Sequence, residues 1–177
     1  MRIISGLFKG RRVRAPKKLP SRPTTDMAKE GLFNILYNKY DFQDIEVLDL
    51  FSGTGNISYE FCSRGVKLIQ SVDKDRRCVE FIKKTAKDLN MSIQAIEANV
   101  YSFLQKNNRT FDVIFADPPY KMELENFEKL IYLIFKNKLI NENGICIIEH
   151  SKYKDLSKID NFKEIKCYSG NCFSFFK

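Results

Sequence analysis

Short apolar runs recur along the chain, separated by stretches with a helical rhythm. Runs at 45–51, 68–72, 93–97 and 111–116 read as strands buried on both faces. Between and after them lie amphipathic segments: "NISYEFCSRG", ending at Gly65; "CVEFIKKTAKDLN", ending at Asn90; and "NFEKLIYLIFKNKL", before a predicted turn at "NENG". "ICIIEH" follows as a further strand, and "KEIKCYSGNCFSFFK" as two strands around a turn at 169–171. Strands alternating with helices predict an α/β fold. Its parallel sheet is covered by helices on both faces and closed by an antiparallel terminal pair.

The first segment has a different rhythm. "RIIS", "GLFKG" and "RRVRAP" predict a β-hairpin around a glycine-bounded turn. Pro16, Pro20 and Pro23 make an extended connector. "TTDMAKEGLFNILYNKY" then predicts a helix with Thr25 or Asp26 as N-cap and an apolar stripe of Leu32, Phe33, Ile35 and Leu36. Gly31 weakens that helix without forbidding it. The expected organisation is a basic hairpin and connector over 1–22 and a single α/β domain over 23–177.

Composition narrows the class. A 44% hydrophobic content supplies a core, and 177 residues fit one domain. No apolar run approaches the ~20 residues that cross a bilayer, and the start is basic where a leader would be apolar. The expectation is a soluble, cytoplasmic protein. Cys62, Cys78, Cys146, Cys167 and Cys172 contain no CxxC pair, and an odd number makes a poor disulfide framework. Reduced, mostly buried thiols are expected, and the single histidine, His150, gives no zinc spacing.

Charge changes the picture further. The net charge is +8, and Arg2, Lys9, Arg11, Arg12, Arg14, Lys17, Lys18 and Arg22 account for all of it, with no acid before Asp26. A localised basic segment ahead of a neutral body is the electrostatic footprint of a phosphate-backbone contact; the alternative is a solvated cationic face.

Three strand ends carry candidate chemistry. "EVLDLFSGTGN" runs from a strand through Gly53 and Gly55 into a helix, where glycines admit positive φ and close approach of a ligand. It lacks the Lys-Ser/Thr of a P-loop and the third glycine of a dinucleotide fingerprint. Asp49, inside the strand, can meet a cationic or amine-bearing ligand. Asp73 ends the next strand 18 residues beyond Gly55, where nucleoside-binding sheets hold a ribose diol; its alternative role is capping the following helix. "VIFADPPY" ends in Asp117, Pro118, Pro119 and Tyr120. The prolines stiffen the corner and remove N–H donors, so it offers carbonyl and carboxylate acceptors beside a flat ring. That set suits a planar ligand bearing an amino group, although Asp-Pro is also ordinary turn chemistry.

"VLDLFSGTG", "VDKD" and "DPPY" resemble the motifs of S-adenosyl-L-methionine-dependent methyltransferases acting on exocyclic amines of bases. With "MRIISGLFKGRRV", "RPTTDMAKEGLFNIL" and "YSGNCFSFF" added, nearly the whole chain resembles the RsmD family, which methylates a guanine N2 of 16S ribosomal RNA. The resemblance implies a Rossmann-like class I fold with a mostly parallel seven-stranded sheet, helices on both faces and an N-terminal hairpin.

It further implies that Asp49, Phe51, Ser52, Gly53 and Gly55 hold the methionine part of the cofactor and that Asp73 takes the ribose. Asn99, with Val100 beside it, stands where the family usually has an Asp that meets the adenine amine; its amide carbonyl would make the same contact. Arg22, Thr24 and Thr25 close over cofactor or RNA backbone, or simply cap the next helix. Asp117, Pro118, Pro119 and Tyr120 become the catalytic corner. Arg2, Lys9, Arg11, Arg12, Arg14 and Arg22 become RNA contacts. The implied partner is 16S rRNA, in an assembling or free small ribosomal subunit, met by a monomer without metal or membrane. The competing readings are an adenine-N6 methyltransferase on DNA or RNA, a protein-amide methyltransferase, a non-catalytic RNA-binding protein that retains the fold, and an NAD-dependent oxidoreductase.

Overall fold

A computed structural model describes residues 1–16, 19, 24–168 and 170–177. Helix α1 (Asp26–Tyr37) is followed by β1 (Glu46–Leu50), α2 (Asn56–Ser63), β2 (Leu68–Asp73), α3 (Arg76–Asp88), β3 (Ile93–Glu97) and α4 (Val100–Lys106). Then come β4 (Phe111–Ala116), α5 (Leu124–Lys136), β5 (Ile140–Ser151), β6 (Phe162–Tyr168) and β7 (Asn171–Phe176). The strands form one sheet in the order β3-β2-β1-β4-β5-β7-β6. Strands β1 to β5 pair in parallel, and β7 is antiparallel to both β5 and β6.

Strand periodicity divides the core in two. Val47, Val113 and Phe115 point into a cluster with Leu32, Phe33 and Leu36 of α1 and Ile57 and Phe61 of α2. Leu48, Ile114 and Ala116 point the other way, onto α4 and α5. Both faces of the central strands are therefore buried, which is why they read as apolar runs. Gly31 has a packing reason inside α1: a Cβ there would lie 2.4 Å from the Tyr168 ring of β6.

Two expectations are corrected. "NENG" is not a turn but lies within β5, where the β4–β5 register shifts between Phe111 and Val113. Gly144 is there because a Cβ would meet the Asp112 carbonyl at 2.9 Å and Ile140 at 2.7 Å; this is a close strand approach. Cys167 and Cys172, expected as thiols, are joined by a disulfide. They stand directly opposite each other in the β6–β7 register with Cα atoms 4.0 Å apart, a pairing that the cysteine count conceals. Cys62, Cys78 and Cys146 are free thiols. The predicted hairpin forms as a short antiparallel pairing: Arg2 and Arg12 make a bridge, and the Ile3 and Val13 N–H groups donate to the Arg11 and Met1 carbonyls, both at 3.0 Å.

That basic arm is docked rather than hinged. Ile3 and Val13 are buried with Tyr59, Ile82 and Ala86, joining the arm to α2 and α3. Gly6, at φ +81°, lies so close to Ser63 that any Cβ would strike its carbonyl. The deeper fastening is ionic. Lys29, fully buried on α1, donates to the Arg2 carbonyl (2.6 Å) and Asn56 Oδ1 (3.0 Å) and stands 3.4 Å from Glu60. Glu60 accepts from the Ile4 and Ser5 N–H groups and from Arg64 Nε. Burial lowers the Lys29 pKa below its ordinary value, and Glu60 pulls it back up. Among the described residues no helix is long and apolar enough to cross a membrane.

Candidate active site

The strand order reverses between β1 and β4, and at such a point the loops leaving the carboxyl ends of the strands part to make a crevice. Here the crevice is a cavity of about 690 Å³, within the range of small-molecule sites. Its lining includes Asp49, Phe51, Ser52 and Gly53 from the first strand and loop, Asp73 from β2, and Asn99 and Val100 after β3. Thr24, ahead of α1, lines it as well, and so do Asp117, Pro118, Pro119 and Tyr120 after β4. Residues spread over nearly a hundred positions thus meet in one space.

The loop after β1 is built for close approach. Phe51 has φ 55°, an uncommon conformation for an aromatic residue, and it turns the chain out of the strand. Gly53 follows at φ 51°, and a Cβ there would meet only the Phe51 carbonyl, at 4.0 Å. The space beside it belongs to the cavity. Gly55 differs: a Cβ would lie 2.9 Å from both Ile82 and Tyr59, so this glycine lets α2 start against the core. It does not line the cavity, and neither does Thr25, whose hydroxyl caps α1 by accepting from the Ala28 N–H. Thr24 is held by donation to Glu149 Oε2 (2.7 Å), and Asn171 donates to the other oxygen of Glu149.

Electrostatics divides the acids. Asp49 is buried, and desolvation pushes its pKa up to about 7; the Ser58 hydroxyl, donating at 2.5 Å, opposes that rise. Asp73 accepts from the Gly53 N–H and the Asp75 N–H, both at 2.8 Å, so its carboxylate ties the glycine loop to the β2–α3 turn. The N-cap of α3 is Asp75 instead. Asp117 follows β4, and its N–H donates to the Leu50 carbonyl (3.3 Å), which fixes the corner beside the end of β1. Tyr120, 46% exposed, leaves its ring at the cavity mouth.

Asn99 departs from expectation. Its amide oxygen accepts from the Tyr101 and Ser102 N–H groups at 3.0 and 3.2 Å, capping α4. Both lone pairs are thereby used, and the side of Asn99 left for a ligand is its NH₂ donor. Sequence reading also passed over Thr54, Asn56, Met122 and Asn126 in the lining. It missed the Lys29–Glu60 pair too, for which the one signal was an acid between Tyr59 and Phe61 on a buried helix face. Arg22 lies outside the described residues. Arg2, Lys9, Arg11, Arg12 and Arg14 are exposed, with Arg2 paired to Asp26 at 3.0 Å. No group of three or more His, Cys, Asp or Glu side chains among the described residues is arranged to hold a metal ion.

A seven-stranded sheet in this order, with a glycine loop, an acid at the end of β2 and an Asp-Pro-Pro-Tyr corner around one cavity, is the architecture of a methyltransferase. More narrowly, the family model described as conserved hypothetical protein 95 matches residues 1–177, and the chain belongs to this, the RsmD family. The ribosomal RNA small subunit methyltransferase D of Haemophilus influenzae is 33% identical over 171 residues, covering 94% of this chain and 86% of the relative. The solved structure of Thermus thermophilus protein TTHA0928 superposes with a TM-score of 0.86 at 24% identity, covering 100% of this chain and 99% of that one. The fold is shared with the T. thermophilus 16S rRNA N2 G1207 methyltransferase, solved with AdoMet and guanosine. That match has a TM-score of 0.72 at 18% identity, over 90% of this chain and 45% of that one.

Proposed function

We propose that this protein transfers a methyl group from S-adenosylmethionine to the exocyclic N2 amine of a guanine in small-subunit ribosomal RNA. The observation that carries the reading is the single cavity shared by the acidic glycine-loop half and the Asp-Pro-Pro-Tyr corner. The cofactor half fits its ligand by an independent sign. Ser52 Oγ is buried at the cavity without a hydrogen-bond partner among the described residues, next to the open space beside Gly53. A buried hydroxyl left so is costly unless a ligand completes it.

When bound, the cofactor supplies an electrophilic methyl group on a sulfonium. The chain's residues do the rest. Asp49 faces the cationic end of the cofactor, Ser52 and the loop backbone hold its methionine portion, and Asp73 accepts from the ribose hydroxyls. Val100 packs on the adenine, and the Asn99 NH₂ donates to a ring nitrogen. Thr24, braced by Glu149, closes that side.

At the corner, the amine of guanine is a weak nucleophile because its lone pair is delocalised into the ring. Asp117 and the Pro118 carbonyl accept its two hydrogens, which turns the lone pair toward the methyl group. A fixed carboxylate then stabilises the charge that grows on nitrogen more than it stabilises the ground state. Alignment supplies the greater part of the acceleration, since oriented pairs reach effective molarities of ~10⁵–10⁸ M. Tyr120 stacks on the extruded base. Arg11, Arg12, Arg14 and Lys9 grip phosphates from the docked arm. Mapping methylated nucleotides in ribosomal RNA from cells with and without the protein tests this: one N2-methylguanine of the small-subunit RNA should disappear. An unchanged map would overturn the reading.

A further inference from the structure

Strand β5 leaves the sheet at Ser151 in a tight turn. The Lys154 N–H donates to the Ser151 carbonyl (3.0 Å), and the Lys152 N–H donates to the Gly170 carbonyl (3.3 Å), which pins the turn to the β6–β7 connection. Lys152 and Tyr153 occupy the two central positions. Turn centres ordinarily hold Gly, Pro, Asn, Asp or Ser, for backbone reasons. Tyr153 has none of those reasons, and its 86% exposure is the highest among the large apolar side chains of the described residues. Packing therefore gives it nothing to do. Lys152 Nζ stands 5.2 Å from the centre of its ring, and Lys154 and Lys158 follow in the same loop. Asp155, the acid between them, accepts from the Ser157 N–H.

The location gives this pair its meaning. Strand β5 lies beside β4, with Ile148 opposite Ala116. The turn after Ser151 and the corner after Ala116 therefore leave the same edge of the sheet on adjacent strands, whose spacing is ~4.8 Å. A strand of RNA that delivers a base to Asp117 must extend past this edge.

We infer that Lys152 and Tyr153 form a second RNA contact: a platform on which an unpaired base flanking the target nucleotide stacks, with Lys152, Lys154 and Lys158 neutralising its phosphates. This rests on the proposed RNA substrate. The combination of an exposed ring and cations is what single-stranded nucleic acid uses, because every base has a π-face and every nucleotide a charge.

The test uses the full-length protein and compares wild type with Tyr153→Ala, Tyr153→Phe and Tyr153→Leu. Methyl transfer to small-subunit particles is measured alongside direct binding to protein-free small-subunit RNA. Tyr153→Ala should raise the KM for RNA roughly five- to hundredfold, with kcat within about twofold of wild type and cofactor affinity unchanged. Phe should restore the KM and Leu should not, because stacking needs a ring and not bulk. Replacing both Lys152 and Lys154 by Ala should lower the salt slope of RNA binding by about 1.4. An unchanged KM in Tyr153→Ala, or Leu rescuing as well as Phe, would overturn the inference. A defect seen with particles while binding to protein-free RNA stays normal would also overturn it, since the partner would then be a ribosomal protein. If wild type methylates no small-subunit RNA, the proposed function fails instead, and the RNA-binding comparison still reads the platform.

Discussion

Replacing Lys29 by Met keeps the length of the side chain and removes its charge from a site that water does not reach. The Arg2 carbonyl and Asn56 Oδ1 lose their donor, and Glu60 keeps only Ile4, Ser5 and Arg64 as partners. Removing one member of a buried ion pair costs about 3–5 kcal/mol, because the remaining charge stays desolvated. For a domain of this size each kcal/mol moves Tm by about 2–4 °C, so Lys29→Met should melt roughly 6–20 °C lower. Thermal unfolding followed by circular dichroism reads this directly. Glu60→Gln in the Lys29→Met background should cost less than the same change in wild type, since one of its two cationic partners is already gone and Arg64 alone remains. Amide exchange in residues 2–6 should accelerate in the single variant, because the arm hangs on this pair. A loss of less than about 2 °C, or additive single and double variants, would refute the reasoning; the pair would then be solvated and the arm held by its apolar contacts alone.

Three further outcomes follow from the site. Asn99→Asp keeps the α4 cap and sets a carboxylate oxygen, in place of the NH₂ donor, against a ring nitrogen, so calorimetry should find cofactor binding weakened roughly three- to tenfold; tighter binding would contradict the assignment. Asp49 has a folded pKa near 7, above its ordinary 3.8. Its contribution to stability is therefore fully present below the unfolded value and is lost as pH rises through about 7. A ligand amine favours the ionised form, so cofactor affinity should climb between about pH 6 and about pH 8, and Asp49→Asn should flatten that climb. Replacing Arg11, Arg12 and Arg14 together by Ala should weaken binding to all RNA sequences and reduce the salt slope by roughly 2–3; an unchanged slope would remove the arm from the interface.

Much of the architecture was legible because burial on both faces leaves unbroken apolar runs. The runs at 45–51, 68–72, 93–97 and 111–116 match β1 to β4 within a residue or so at each end. The cavity lining was legible for a related reason, since Asp49, Gly53, Asp73 and Asp117 interrupt or terminate those runs at one edge of the sheet. What escaped depends on partners distant in sequence. Gly144 looks like a turn residue until the neighbouring strand is seen 2.9 Å from where its Cβ would be. The Cys167–Cys172 bond needs the β6–β7 register, which spacing alone does not supply. Asn99 shows which face it offers a ligand only once α4 has claimed its oxygen. Nothing in the sequence sets Lys29 apart from the other lysines, yet the basic arm and α2 close over it.

The central claim is that one carboxylate, at the end of β4, acts on the amine while the glycine-loop half holds the cofactor. Asp117→Ala separates the two. Calorimetric titration with S-adenosylmethionine, run beside methyl transfer to small-subunit particles, should find cofactor affinity within about threefold of wild type and turnover reduced at least about a thousandfold. Turnover that persists in this variant, or cofactor binding that collapses with it, would contradict the account.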